Sequence, residues 1–354
     1  MTTKKNYLST LLAFVAGAVI TGTASAYPLD GYEHTGIERL EFYRLGQIDE
    51  NNAREMPRGG LLSLENVAPG WSATDGRELP PSDPELERRI SRMLTHDERG
   101  RYGVALLDLT DPKNPVYAGY NDDLKYNVGS VGKTLVALAI FQKLAEIYPD
   151  DIAARERVLR ETQVTADGFI VSDHHKVPIY DVDTEEFSHR AVKQGDPASF
   201  WEYLDFMLSA SSNAAASMCM KQLIALAHFR ENYPASDAQT DQFFDETSRR
   251  DLGDILEKSM DGAIVANGLD PEEFRQGSFF TSAGKKRVAS RRSFGTPRQM
   301  TKMLYRLEAG TLVDAWSSLE IKRLLYITQR RIRYASHPSL KPASMVFKTG
   351  SLYS

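Results

Sequence analysis

A single cysteine, Cys219, in a chain of 354 residues leaves no intramolecular disulfide and no cysteine-rich zinc site to hold a fold together. Stability must then come from burying apolar side chains, and the length suffices for one large domain or two ordinary ones. With 42% hydrophobic and 26% charged residues, the chain has the composition of a soluble globular protein. That excludes a disordered chain, a collagen-like repeat and a polytopic membrane protein. The formal net charge of −5 lacks the basic excess of a general nucleic-acid binder. Cys219 itself, in Met218-Cys219-Met220, reads as a packed helix residue and not as a reactive thiol.

Residues 1–26 read as a secretory signal peptide. Lys4 and Lys5 form a positive start, Leu8 to Ile20 carries no charge, and Ala24-Ser25-Ala26 supplies small residues for cleavage. A 13-residue apolar run is short for a bilayer span. The expectation is an exported protein, in the style of a bacterial periplasmic one, with no integral membrane segment after cleavage. Residues 27–82 follow as an extension rich in breakers (Gly59-Gly60, Pro69-Gly70, Pro80-Pro81) and read as an extended arm that wraps the domain or as a partner-binding segment, of unknown role.

From residue 83 the chain reads as one domain. Asp83-Pro84 opens a helix over Glu85 to Leu94, and Tyr102 to Leu109 and Val116 to Tyr120 form a hairpin around Asp111-Pro112. A helix followed by a hairpin predicts an antiparallel sheet backed by helices, in an α/β (α+β) arrangement. Ser130 to Ile147 is strongly apolar and helical. Residues 150–197 read as an irregular polar insertion. Helices follow over Phe200 to Leu208, Ala214 to Phe229, Pro297 to Glu308 and Leu319 to Ile327, and Ser344 to Lys348 reads as a terminal strand.

Three short motifs stand in order: Ser130-Val131-Gly132-Lys133, Ser211-Ser212-Asn213 and Lys348-Thr349-Gly350. The first has a decoy at Ser282 to Lys285, whereas K-T-G arises by chance in only about one chain in ten of this length. Their contexts suit nucleophilic catalysis. A serine hydroxyl needs a base to take its proton. If the helix begins at Ser130, Lys133 shares its face, and the helix start offers free N–H groups to an oxyanion. Apolar neighbours would depress the Lys133 pKa towards base function. Ser211 at a corner between helices can relay a proton, and Asn213 can bind an amide. Lys348 adds positive charge, Thr349 a hydroxyl donor, and Gly350 close access to the backbone.

This set resembles the serine β-lactamase and penicillin-binding superfamily, most of all its class A β-lactamases. Tyr126-Asn127-Val128-Gly129 before Ser130, Met207 to Ala210 before Ser211, and Thr296-Pro297 with its helix add to the resemblance, which runs from about Asp83 to Ser354. It implies a transpeptidase-like fold with an antiparallel sheet, flanking helices and an all-helical subdomain. It further implies that a β-lactam or D-alanyl peptide acylates Ser130, with Lys133 as base and Ser211 protonating the leaving nitrogen. Asn213 would hold the side-chain amide, Lys348 and Thr349 the substrate carboxylate, and the backbone N–H groups of Ser130 and Ser351 the oxyanion. No cofactor and no metal are implied.

Two departures qualify the resemblance. Class A enzymes deacylate with a glutamate on the Ω-loop, yet Gly277 to Gly295 contains no carboxylate. Glu272 and Glu273 lie nearby but read as the first turn of a helix after Asp270-Pro271. A penicillin-binding, DD-peptidase-like role or a catalytically degenerate wall-peptide binder is therefore the alternative. The superfamily's sheet also continues after K-T-G, where four residues remain here, so the sequence reads as truncated or completed by another segment. A phosphate-binding loop over Asn127 to Thr134 lacks its first glycine and a preceding buried strand. Asp173, His174, His175 and His189 lack metal-ligand spacing and read as a solvated surface loop. The basic run Lys285 to Arg292 reads likewise.

Overall fold

The computed structural model describes residues 30–48, 67, 78–96, 100–111, 113–171, 173–328, 337, 340 and 343–351. The signal-peptide expectation and most of 49–77 lie outside the described residues. Within 27–82, the described stretch is not an extended arm. It forms α1 (Gly31–Thr35) and α2 (Glu38–Ile48), and Ile37 and Leu40 sink into the core. The breakers that suggested an arm are concentrated C-terminal to these helices.

Next come α3 (Pro84–Met93), capped by the Asp83 carboxylate on Leu86 N–H at 2.7 Å, and the antiparallel hairpin β1 (Val104–Asp108) and β2 (Val116–Tyr120). A 3₁₀ turn, Gly129–Gly132, leads into α4 (Lys133–Ile147). Eleven of the fifteen residues of α4 are buried, as expected of a mostly apolar helix inside the core. The stretch 150–197 is more regular than its polarity suggested. It holds α5 (Ile152–Glu161), β3 (Gln163–Thr165), the hairpin β4 (Val177–Asp181) and β5 (Glu186–Arg190), and β6 (Pro197–Ser199), which pairs back with β3. The exposed residues of β5 and its turn hid the alternation from a sequence reading.

The helices α6 (Phe200–Leu208) and α7 (Asn213–Phe229) pack together, and α7 and α4 both pack on α9 (Arg249–Ala266), after α8 (Asp237–Glu246). This is the all-helical part. Cys219 lies fully buried in α7, where burial pushes its thiol pKa up and keeps it inert. Then follow β7 (Phe274–Arg275), α10 (Ser282–Arg287), β8 (Phe294–Gly295), α11 (Pro297–Glu308) and α12 (Ala315–Tyr326). The β1–β2 hairpin lies between α3 and α11, so a small antiparallel layer is flanked by helices. Asp122 ties the layer together, accepting from Tyr117 Oη in β2 and from Arg298 Nε at 2.9 Å in α11. Ser344 to Lys348 forms no ladder with any described strand, which departs from the expected terminal strand. Among the described residues, no helix is long and apolar enough to cross a membrane.

Candidate active site

The first turn of α4 fixes the site. A 3₁₀ turn eclipses residues three apart, and Lys133 Nζ lies 2.8 Å from Ser130 Oγ. Lys133 is 0% exposed, and its ammonium also donates to Ser211 O at 2.8 Å and Asn213 Oδ1 at 2.7 Å. Its Nζ lies 4.7 Å from the Phe280 ring centroid. This inward-facing lysine does not point at a phosphate-cradling loop, and the segment before it makes only an isolated bridge, Tyr126 with Gly295.

Ser211 occupies the corner between α6 and α7 with φ +61, a left-handed conformation that a serine adopts only when its surroundings impose it. Asp173 holds the residues that follow Ser211. Its Oδ2 accepts from Ser212 Oγ at 3.0 Å, Asn213 N at 2.6 Å and Ala214 N at 3.1 Å, anchoring the start of α7. Its Oδ1 accepts from His175 N at 3.1 Å and His175 Nδ1 at 2.7 Å. Burial alone would raise the Asp173 pKa, but the His175 ring and the backbone N–H groups outweigh it and hold the carboxyl far below its ordinary value. The ionised partner fixes the proton of His175 on Nδ1. Burial first, and then the charge of Lys133, push the His175 pKa down despite Asp173, so the imidazole is neutral at pH 7.

Asp173 and His175 are thus buried at the site, and the reading of this stretch as a solvated loop is corrected for both. His174 and His189 are exposed. Ligand atoms of Asp173, His174 and His175 lie within 4.8 Å of one another. The Asp173 oxygens, however, already accept five hydrogen bonds, which occupies the lone pairs a cation would need. Sequence reasoning missed Asp173 because it acts on residues about forty positions away.

Lys348 reaches the same point from the C-terminal segment, with Nζ 2.9 Å from Ser211 Oγ and 2.9 Å from Thr349 O. Gly350 runs so close to the serine that a Cβ there would lie 3.0 Å from Val128 O and 3.5 Å from Ser130 N. Ser130, Ser211, Asn213, Thr349 and Ser351 line a cleft of about 480 Å³. The structure therefore brings Ser130, Lys133, Ser211, Asn213, Lys348, Thr349, Gly350 and Ser351 to one place.

The remaining wall is the loop between β7 and β8, whose ladder pairs Phe274 with Gly295. Glu272 and Glu273 stand outside it, in a turn and not in a helix. Glu272 pairs with Arg275 at 2.7 Å, and Glu273 accepts from Gln299 at 2.9 Å. Gln276 faces the cleft instead. Its Nε2 donates to Ser278 O at 2.6 Å, which fixes the amide orientation and leaves Oε1 buried without a hydrogen bond. A Cβ on Gly132 would fall 2.0 Å from that oxygen, so only glycine lets the amide pack over the turn of Ser130.

Comparison with solved structures finds PBP-A, at 13% identity and TM-score 0.38, covering 71% of this chain and 72% of that one. A mutant of PBP-A, solved as an acyl-enzyme complex with penicillin G, matches at 14% identity and TM-score 0.39 over the same shares. No curated protein matches. The family model described as the beta-lactamase enzyme family matches residues 85–354. By that match over most of its length, the chain belongs to the beta-lactamase enzyme family.

Proposed function

We propose that the protein is an exported serine hydrolase that opens β-lactam or D-alanyl amide bonds through an acyl-enzyme on Ser130. One observation carries the reading: Lys133, Ser211, Asn213 and Lys348, from separate stretches of sequence, converge around the Ser130 hydroxyl. Export rests on the character of residues 1–26.

In this reading, Lys133 first gives up a proton, and its free amine then takes the Ser130 proton across 2.8 Å as Oγ attacks the carbonyl carbon. The backbone N–H groups of Ser130 and Ser351 stabilise the oxyanion. Collapse breaks the C–N bond, Ser211 Oγ protonates the nitrogen with Lys348 at 2.9 Å supporting that transfer, and Lys133, 3.4 Å from Ser211 Oγ, passes on to it the proton taken from Ser130. Lys348 and Thr349 receive the substrate carboxylate, and Asn213 the side-chain amide. Water then hydrolyses the ester.

No described residue lining the cleft is a carboxylate, so that last step lacks a strong base. This favours a long-lived adduct, as in a penicillin-binding protein, over rapid turnover. Incubation with benzylpenicillin followed by mass spectrometry tests both points. The expected result is an adduct on Ser130 that persists for minutes and is lost in Lys133→Ala. Rapid release would shift the reading to an efficient lactamase, and absence of any adduct would overturn acylation.

A further inference from the structure

We propose that the cleft selects a substrate carrying a second carboxylate, held by Lys285 and Arg292. The inference deepens the reading of the Ser130 cleft as the substrate site and rests on it. The chain is acidic overall, yet the described cleft lining includes Lys285, Arg291 and Arg292 and no Asp or Glu. Such a one-sided lining concentrates positive potential where the ligand sits. Arg291 is already answered by Glu257 and by Asp261 at 3.5 Å. Lys285 and Arg292 are exposed and have no ion-pair partner among the described residues.

The placement of these cations is built into the fold. The ladder of β7 and β8 clamps both ends of their loop, and Arg291 N donates to Gly277 O at 2.6 Å across its neck. Ala289 N is held by Arg249 O at 2.9 Å, and Thr281 Oγ1 donates to Phe169 O at 2.6 Å. β8 in turn bonds Tyr126, four residues before Ser130, through two backbone hydrogen bonds of 2.9 Å. A basic run that reads as solvated sequence is therefore fixed to the segment entering the nucleophile. Arg292 can grip a carboxylate through two parallel N–H donors, with Lys285 as a point charge beside it. Lys348 is engaged with Ser211 and Thr349, so this is a second anion position. A cleft of about 480 Å³ suits a small molecule.

The test compares benzylpenicillin with α-carboxybenzylpenicillin, which differ by one carboxylate, in equilibrium binding to Ser130→Ala by calorimetry. This variant cannot be acylated, so binding is read apart from chemistry. The expected result is binding of the dicarboxylate about three- to tenfold tighter at low salt, the yield of two partly exposed charge pairs. High salt should erase the difference. Adding Lys285→Gln and Arg292→Gln should remove it by weakening the dicarboxylate more than benzylpenicillin, and both positions are exposed enough for the fold to tolerate the changes. Equal affinities, or a preference that survives the double substitution, would overturn the proposal. A preference in Ser130→Ala with no adduct on wild-type Ser130 would instead retain this subsite and overturn the acylation reading.

Discussion

Asp173 shows how one buried carboxylate can set a site it does not line. Its removal leaves the Ser212 hydroxyl and the Asn213 and Ala214 N–H groups unanswered next to Ser211. Asp173→Ala should therefore cost about 2–5 kcal/mol in denaturant unfolding, the range for unsatisfied buried donors to a charge. Acylation of Ser130 should slow more than this stability loss alone explains, and Asp173→Asn should fall between the two. Because the folded carboxyl titrates well below its unfolded value, its contribution is present above about pH 4 and is lost as pH falls towards the folded value. Gln276 carries a second prediction, for the step that lacks a base. Gln276→Glu places a carboxylate against the turn of Ser130 and facing Ser278 O, so release of the penicilloyl adduct should accelerate by about 10²-fold. An unchanged adduct lifetime would show that the hydrolytic water approaches elsewhere. Of these groups, the Ser130–Lys133 pair was legible because i and i+3 spacing is a local rule. Asp173 and Gln276 were not, because each acts through a contact made only when distant segments pack.

Helix starts followed the same division between local and distant causes. Asp83, Ser212 and Thr296 cap α3, α7 and α11 where their sequences announce it, since a cap and its helix are contiguous. The pairing of β3 with β6 across more than thirty residues, and the hairpin between them, has no such local mark. At the start of α6, one element carries both kinds of cause. Ser199 and Glu202 form a capping box, with Ser199 Oγ accepting from Glu202 N at 3.1 Å and Glu202 Oε2 from Ser199 N at 3.2 Å. The local motif, however, is buried beneath α2, whose Glu38 N donates to Glu202 Oε1 at 3.3 Å. Burial, and then the charge of Glu38, raise the Glu202 pKa to about 7. The folded state therefore holds a proton that the unfolded chain has released above about pH 4.5, so stability falls as pH rises between those values. One group shifted by this much changes stability by about 3 kcal/mol. Glu202→Gln removes the charge and keeps one oxygen to accept from Ser199 N, at the expense of the bond from Glu38 N. It should flatten the decline of unfolding free energy between pH 5 and 7 and leave the variant more stable than wild type at pH 8.

With no disulfide available, the N-terminal helices are joined to the rest of the fold by burial, by hydrogen bonds such as that of Glu38 N to Glu202, and by the buried ion pair of Arg39 and Asp205. Arg39 in α2 is 1% exposed and Asp205 in α6 is 0% exposed. The guanidinium donates Nε to Oδ2 at 2.5 Å and Nη2 to Oδ1 at 2.7 Å, and Nη2 also reaches Ile327 O at 3.0 Å beyond α12. Three segments far apart in sequence thus meet at a single planar group. Phe42, stacked on Phe187 of β5 at 4.0 Å, extends the same contact to the hairpin of residues 177–190. Cutting the pair from one side strands a buried charge. Arg39→Ala should therefore cost about 3–5 kcal/mol and lower the melting temperature by on the order of 10 °C. The size of that loss does not measure the worth of the pair, because two desolvated charges return little beyond the cost of burying them. The double replacement Arg39→Met with Asp205→Leu separates these contributions. It removes both charges, retains apolar volume and gives up the bond to Ile327 O, so it should recover most of the stability lost in Arg39→Ala. If the double variant is as unstable as Arg39→Ala, the ion pair itself holds α2 in place. If it recovers, the apolar contacts of Ile37, Leu40 and Phe42 do so, and the charges serve to fix which surfaces meet.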